Sequence, residues 1–254
     1  MMHPAGKHTG TPGRRHPQRS GSRRAGEEIG GRFWKTVAVG NNQRELDQAG
    51  HALAEMARLV AEALSRATEA LLEADLRLAE TVISGDSAID ALYRELDVYT
   101  PDALAGRQPV ARDLRALVTS LRMSADLERM GDLARHIATV ARMRFPDCAV
   151  PEELRETFAK MGEIGVELAR KVVQLVTTKD LGAAGALDAR DDAVDRLHRG
   201  VFTTLLTAPN PYAMQTAIDV TLLSRYYERF ADHAVSVARR VEFLTTGEPW
   251  DEQE

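Results

Sequence analysis

From Leu46 onward, apolar residues return every three or four positions, the period of a helix face. Leu46, Leu53, Val60, Ala67 and Ala74 recur at heptad spacing, with Ala49, Met56, Ala63 and Ala70 between them. This spacing predicts one long helix over about 44–74, with a coiled-coil type of seam whose alanines let a neighbour approach closely. A second helix is expected over about 75–99, through Leu76, Ala79, Val82, Ile83, Ile89, Leu92 and Leu96, with Gly85 as a point of bending. Thr100-Pro101 and the stretch to Pro109 interrupt the period. The third helix runs over about 109–144, with Leu114, Leu117, Leu121, Leu127, Met130, Ala134, Ile137 and Ala141 inward, and Phe145-Pro146-Asp147 ends it. Pro151, Glu152 and Glu153 open a fourth, proline in the first turn and acids at the positive end of the dipole. Leu154, Phe158, Met161, Ile164, Leu168, Val172 and Leu175 carry it on. A fifth helix covers about 180–207, is broken by Pro209-Asn210-Pro211, and gives way to a sixth over about 211–246. The fold class is all-α: six helices in two groups of three, over 44–147 and 148–246.

A chain of 254 residues is long enough to bury a sizeable core, and 44% hydrophobic with 28% charged residues is an ordinary globular mixture. Aromatics are sparse while Ala and Leu, the strongest helix formers, are abundant, which reinforces the helical reading. Cys148 is the single cysteine, so no internal disulfide forms, and a loop position is expected for it. No apolar run approaches the roughly 18–20 residues that span a bilayer, and no apolar stretch follows the basic N-terminus as a secretory signal would. The expectation is a cytoplasmic protein.

Charge divides the chain. Residues 1–44 carry nine Lys and Arg against Glu27 and Glu28, a net of +7; the rest carry 24 Lys and Arg against 36 Asp and Glu, a net of -12. An acidic body argues against nucleic acid as the main partner. Residues 1–43 are rich in Gly, Pro, Ser, His and Arg, a composition that cannot offset its ordering entropy, and are read as a disordered basic tail. Such a tail is either simply solvated, the product of a start codon placed too far upstream, or a contact for an anionic surface, with Phe33, Trp34 and Val37 its one apolar element. Residues 247–254 form a short acidic tail.

The two groups of helices resemble each other where carboxylates sit. Asp86 and Asp90 on the second helix correspond to Asp191 and Asp195 on the fifth, within Asp86-Ser87-Ala88-Ile89-Asp90-Ala91-Leu92 and Asp191-Asp192-Ala193-Val194-Asp195-Arg196-Leu197. Glu128 and Asp132 on the third correspond to Glu228 and Asp232 on the sixth, within Leu127-Glu128-Arg129-Met130-Gly131-Asp132 and Tyr227-Glu228-Arg229-Phe230-Ala231-Asp232. Acids at i and i+4 lie one turn apart on one face and destabilise an isolated helix by roughly 0.2–0.5 kcal/mol. Burial raises that cost steeply unless something neutralises the charge. Glu128 shares its heptad column with Leu114 and Leu121, and Tyr227, Phe230, Ala231 and Ala234 surround Glu228 and Asp232. The acids are therefore expected to face partly inward, or across a seam toward the other pair of their half. Four carboxylates from two helices offer an oxygen-rich site suited to Mg, Mn or Fe; a Cys/His structural zinc site is excluded, although Zn on oxygen ligands stays among the candidates. One such pair alone would more simply be a solvated face, but four at matching places favour metal. Arg129 and Arg229 are expected to form ion pairs with these acids. Asp126 is a weaker candidate ligand, because the second repeat has Tyr226 in its place, and His136, where the second repeat has Ser236, is read as a core or surface histidine.

Gln108-Pro109-Val110-Ala111-Arg112-Asp113-Leu114-Arg115, then Asp126-Leu127-Glu128-Arg129-Met130-Gly131-Asp132, and Leu78-Ala79-Glu80-Thr81-Val82-Ile83 running into Asp86 and Ile89-Asp90, closely resemble the PhoU family. In the second half Glu228-Arg229-Phe230-Ala231-Asp232-His233-Ala234 is the clearest part, and the likeness covers about residues 44–246. The resemblance implies tandem three-helix bundles, often dimeric, with multinuclear metal clusters on these acid motifs. It also implies a role in phosphate homeostasis, as an adaptor between the ATPase subunit of the phosphate-specific ABC transporter and a phosphate-sensing histidine kinase. Such an adaptor holds the phosphate-starvation response off, restrains uptake, and meets the membrane only through its partners. The long basic N-terminal extension departs from the family pattern.

The sequence has no Gly-rich phosphate loop, no Ser nucleophile elbow and no His-Glu-x-x-His helix. The expectation is a regulator rather than an enzyme. Two other classes stay open: a carboxylate-bridged metal oxidase or phosphate hydrolase, and a metal-free helical scaffold. The Glu-x-x-His motif of ferritin-like di-iron bundles is absent, since Gly131 and Ala231 lie three residues past Glu128 and Glu228.

Overall fold

A computed structural model describes residues 43–105, 111–178, 185–207 and 212–247. The expected tail before residue 43, the breaks at 106–110 and 208–211 and all but the first residue of the acidic C-terminal tail lie outside the described residues. Among the described residues there are six helices: α1 Gln43–Glu73, α2 Leu76–Ala105, α3 Ala111–Arg144, α4 Glu152–Thr178, α5 Gly185–Leu206 and α6 Met214–Thr246. Among the described residues no helix is long and apolar enough to cross a membrane.

The heptad residues of α1 form one side of the core: Leu46, Leu53, Val60 and Ala67 are fully buried, as are Met56 and Ala70. Ala74 departs from that reading. It has a φ of 49° and ends the helix rather than extending the seam. Asp75 then caps α2, its carboxylate accepting from the Leu78 amide at 3.0 Å, so the chain reverses within two residues. The expected break at Thr100-Pro101 is absent: α2 passes through Pro101 to Ala105, and it passes through Gly85 as well. A proline removes one amide donor, that to the Asp97 carbonyl, and Asp97 is an exposed residue. Leu114 is also a correction. It is 43% exposed, while Leu117, Leu127, Met130, Ala134, Ile137 and Ala141 are buried as expected, so the column of Leu114, Leu121 and Glu128 lies along the margin of the buried face. Cys148 sits exposed in the loop between α3 and α4.

Within each half the outer helix packs on its own two partners, α2 on α1 and α3, and α5 on α4 and α6. The halves join through α1 against α4 and α3 against α6. Gly162 and Gly165 permit the first contact. A Cβ at Gly162 would lie 2.5 Å from Thr68 Cγ2, and one at Gly165 2.6 Å from Leu64 Cδ2. Thr68 gives its hydroxyl proton to the Leu64 carbonyl at 2.9 Å, so at the 2.9 Å contact with the buried Tyr227 it is Tyr227 that donates. Across α3 and α6, Arg144 makes a two-pronged ion pair with Asp219 at 2.5 and 2.9 Å. Further along, Asp126 accepts from His233 at 3.1 Å and Arg240 at 2.8 Å, and Arg115 stacks over Phe243. These pairings run α3 and α6 antiparallel, and both halves share one hydrophobic core.

Candidate metal centre

The acid pairs fall on two seams, one between α2 and α3 and the other between α5 and α6. Helical spacing alone puts Asp86 with Asp90, Glu128 with Asp132, Asp191 with Asp195 and Glu228 with Asp232 on common faces. Packing then turns the faces of each half toward each other. At the first seam Gly131 lets the helices close up: a Cβ there would meet Ile89 Cδ1 at 2.8 Å and Asp86 Oδ1 at 3.2 Å. The corresponding residues of the second seam are Ala231 and Val194, both fully buried. The methyl lost from one helix is thus restored on the other, a volume-conserving exchange.

At the first seam the four carboxylates sense one another. Burial, then Asp132, pushes the Glu128 carboxyl above its ordinary range, opposed by Arg129, with Asp90 and Asp86 adding to the rise. Burial also raises Asp86, against the attraction of Arg135. Arg135 lies between the helices. Its Nε is 2.6 Å from Asp86 Oδ2 and its Nη2 is 2.5 Å from Asp132 Oδ1, so a single guanidinium ties α2 to α3. The Nε–H is not aligned on an acceptor, and the contact with Asp86 is electrostatic. Arg129 pairs with Asp132 at 3.3 Å and Glu128 at 3.7 Å, as expected, and Arg94 lies 4.0 Å from the more exposed Asp90.

The second seam is balanced differently. Asp191 is pushed up to about 7, by burial first and then by Asp232, Asp195, Asp192 and Asp188. Its Oδ1 is buried without a hydrogen-bond partner, and so is Oε2 of Glu228. Glu228 is raised by burial and by Asp232, and Arg225 donates to its other oxygen. Asp232 stands more open; desolvation and Asp195 raise it, while Arg225, His233 and Arg229 oppose. Asp195 pairs with Arg199 at 3.6 Å. The position that matches Arg135 is Val235, which is buried.

As the side chains stand, no three His, Cys, Asp or Glu groups among the described residues are arranged to close around one ion. The donor chemistry of the second seam nevertheless suits a hard cation: its acids offer only oxygen, and two of those oxygens are buried and unpartnered. The first seam suits one poorly, because a guanidinium already occupies the space between Asp86 and Asp132. Asp126 turns away from the acids to bridge the halves, and His136 stacks on Tyr226 with ring centroids 5.3 Å apart. Sequence reasoning missed Arg135 and also His198, one turn past Asp195, whose Nδ1 shares a 3.0 Å hydrogen bond with Ser224. The spacing of Glu128, Asp132 and Arg135, at i, i+4 and i+7, was a usable signal for the first.

Comparison with known proteins agrees with this architecture. The family model described as "PhoU domain" matches twice, over residues 53–141 and 158–241. The chain is 47% identical over 203 residues to phosphate-specific transport system accessory protein PhoU homolog 2 of Mycobacterium tuberculosis, covering 80% of this chain and 95% of that protein. It is 44% identical to PhoU homolog 1 of Mycobacterium leprae, covering 80% of this chain and 91% of that one. The crystal structure of PhoU from Pseudomonas aeruginosa superposes with a TM-score of 0.74 at 27% identity, over 82% of this chain and all of the other.

Proposed function

The chain belongs to the PhoU family, and from that premise we propose that it is an accessory protein of a phosphate-specific transport system. In this reading it is a cytoplasmic adaptor, dimeric in solution, that holds the phosphate-starvation response off and restrains uptake when phosphate is plentiful. Its partners are the ATPase subunit of the transporter and a phosphate-sensing histidine kinase, and it reaches the membrane through them. One observation carries the reading: the family's domain matches both halves of the chain, and each half carries two acid pairs at corresponding places. An adaptor also needs faces for partners, and Met214, Ile218 and Leu222, one turn apart along α6, form an exposed apolar stripe.

The same proposal includes a metal ion, of Mg, Mn, Fe or Zn, held by Asp191, Asp195, Glu228 and Asp232, and treats Asp86, Asp90, Glu128 and Asp132 as the corresponding acids of the first half. When bound, a cation supplies the positive charge that lets clustered carboxylates stay ionised together. The chain's own contribution is to hold α5 against α6 and keep water from two of the oxygens. No reaction on a substrate is assigned to the protein.

Deletion of the gene from its host, followed by transcription of phosphate-starvation genes in phosphate-rich medium, tests the regulatory role. Transcription rises if the reading is right and returns to baseline on complementation. Unchanged transcription in a strain with no second copy of the family would sink it. Co-purification from crosslinked cells should recover the ATPase subunit and the kinase.

A further inference from the structure

We infer that Arg135 is a built-in counter-cation of the first acid seam, and that the two halves of this protein therefore differ in kind: one seam is closed by a side chain, the other takes metal. The inference deepens the metal assignment proposed above and rests on it for its second part. The guanidinium reaches from α3 to Asp86 on α2 while also holding Asp132, three residues earlier on its own helix. It makes both contacts within 2.6 Å, which leaves no room for an ion between those two carboxylates. Arg is suited to this place, since its planar fork carries a permanent charge and meets two carboxylates at once. Only about a third of its side chain is exposed.

The opposite seam lacks this device. Val235 stands where Arg135 would be, and a buried valine brings no charge. Arg225 and Arg199 hold Glu228 and Asp195 from the margins, and Arg229 and His233 act on Asp232. None of them reaches the two oxygens left bare, Oδ1 of Asp191 and Oε2 of Glu228; Glu228 is nine-tenths buried. Buried anionic oxygens without a donor need an external cation or a proton. The repeat therefore has one self-neutralised seam and one open to exchange, and only the second can report metal supply. A metal-dependent change in packing would originate at α5 and α6.

Two measurements on the full chain test this. Thermal unfolding in chelator checks the counter-cation role without metal. Arg135→Met should lower Tm at pH 8 by about 4 °C or more, because it leaves two carboxylates unpaired across the seam. Asp86→Asn with Asp132→Asn in the same background should recover most of the loss. No change in Tm, or a loss that the double substitution does not relieve, would overturn the counter-cation role.

Elemental analysis after loading with Mn²⁺ and gel filtration checks the distribution. Wild type should keep metal that Asp191→Asn or Glu228→Gln removes, with affinity lost by more than the roughly 10–100-fold that losing an outer-sphere partner costs. Asp86→Asn should leave the content unchanged. Arg135→Met should bind additional metal and Arg135→Lys, which keeps the charge, should not. Equal losses from variants of both seams, or no gain in Arg135→Met while wild type binds metal, would refute the division of labour. Absence of metal from both wild type and Arg135→Met would instead reject the metal assignment itself, with the Tm series still deciding the role of Arg135.

Discussion

Replacing Asp191 by Asn should change how the stability of the metal-free protein depends on pH. The carboxyl ordinarily titrates near 3.8, and in the fold it is pushed up to about 7. Burial and four acidic neighbours disfavour its charged form, and its Oδ1 has no donor. Below about pH 4 the group is protonated folded and unfolded alike, and its contribution to stability is at its maximum. Between about 4 and 7 the folded state binds more protons than the unfolded one, so stability falls as pH rises, and above 7 the loss is complete. The difference from 3.8 to about 7 corresponds to about 4 kcal/mol, which solvent reaching a half-buried carboxylate screens to about 1–2 kcal/mol. Asn keeps the shape and cannot ionise. Urea unfolding in chelator at pH 4.5 and pH 8 should find the two proteins alike at the acid end and the variant more stable by about 1–2 kcal/mol at the alkaline end. Equal differences at both pH values would refute the reasoning, because the effect would then owe nothing to charge. A variant less stable at pH 8 would show that Asp191 has a cationic partner in solution.

Four further substitutions probe the packing that places the seams. Gly131→Ala should cost about 1–3 kcal/mol by pressing on Ile89 and Asp86, and Ile89→Val in the same chain should recover most of it by copying the Ala231 and Val194 arrangement; chemical denaturation of the single and double variants reads both. Gly162→Ala should lower Tm, since its Cβ drives into Thr68 and disturbs the hydroxyl that Tyr227 needs. Gly85→Ala, in an exposed helix interior with nothing within 4 Å, should raise stability by about 0.5–1 kcal/mol, so a common sign in calorimetry would count against the account. Asp126→Asn should weaken the join between α3 and α6 by about 1–3 kcal/mol, and hydrogen exchange should show faster opening along that contact; protection unchanged there would contradict it.

Much of this was legible in the residues. Buried positions at three-four spacing specify six helices, because a helix needs one apolar stripe and the period of that stripe is local geometry. Pro151, Glu152 and Glu153 marked a helix start for the same local reason. The acid pairs were visible too, since i and i+4 always share a face. Pro101 misled, because a proline withdraws one amide donor without obliging the helix to end, and α2 stays helical to Ala105, with Thr100 donating to the Leu96 carbonyl at 2.8 Å.

The sequence by itself determined which residues share a face, the helical class, the duplication and the family, all of which follow from spacing along one chain. Only the tertiary structure decided what stands opposite each face. It put Arg135 between Asp86 and Asp132, left Asp191 and Glu228 each with an oxygen unpartnered, and spent Asp126 on joining the halves. The reason is physical: whether a carboxylate is costly depends on its dielectric surroundings and on the nearest cation, and both belong to neighbours that are distant in sequence.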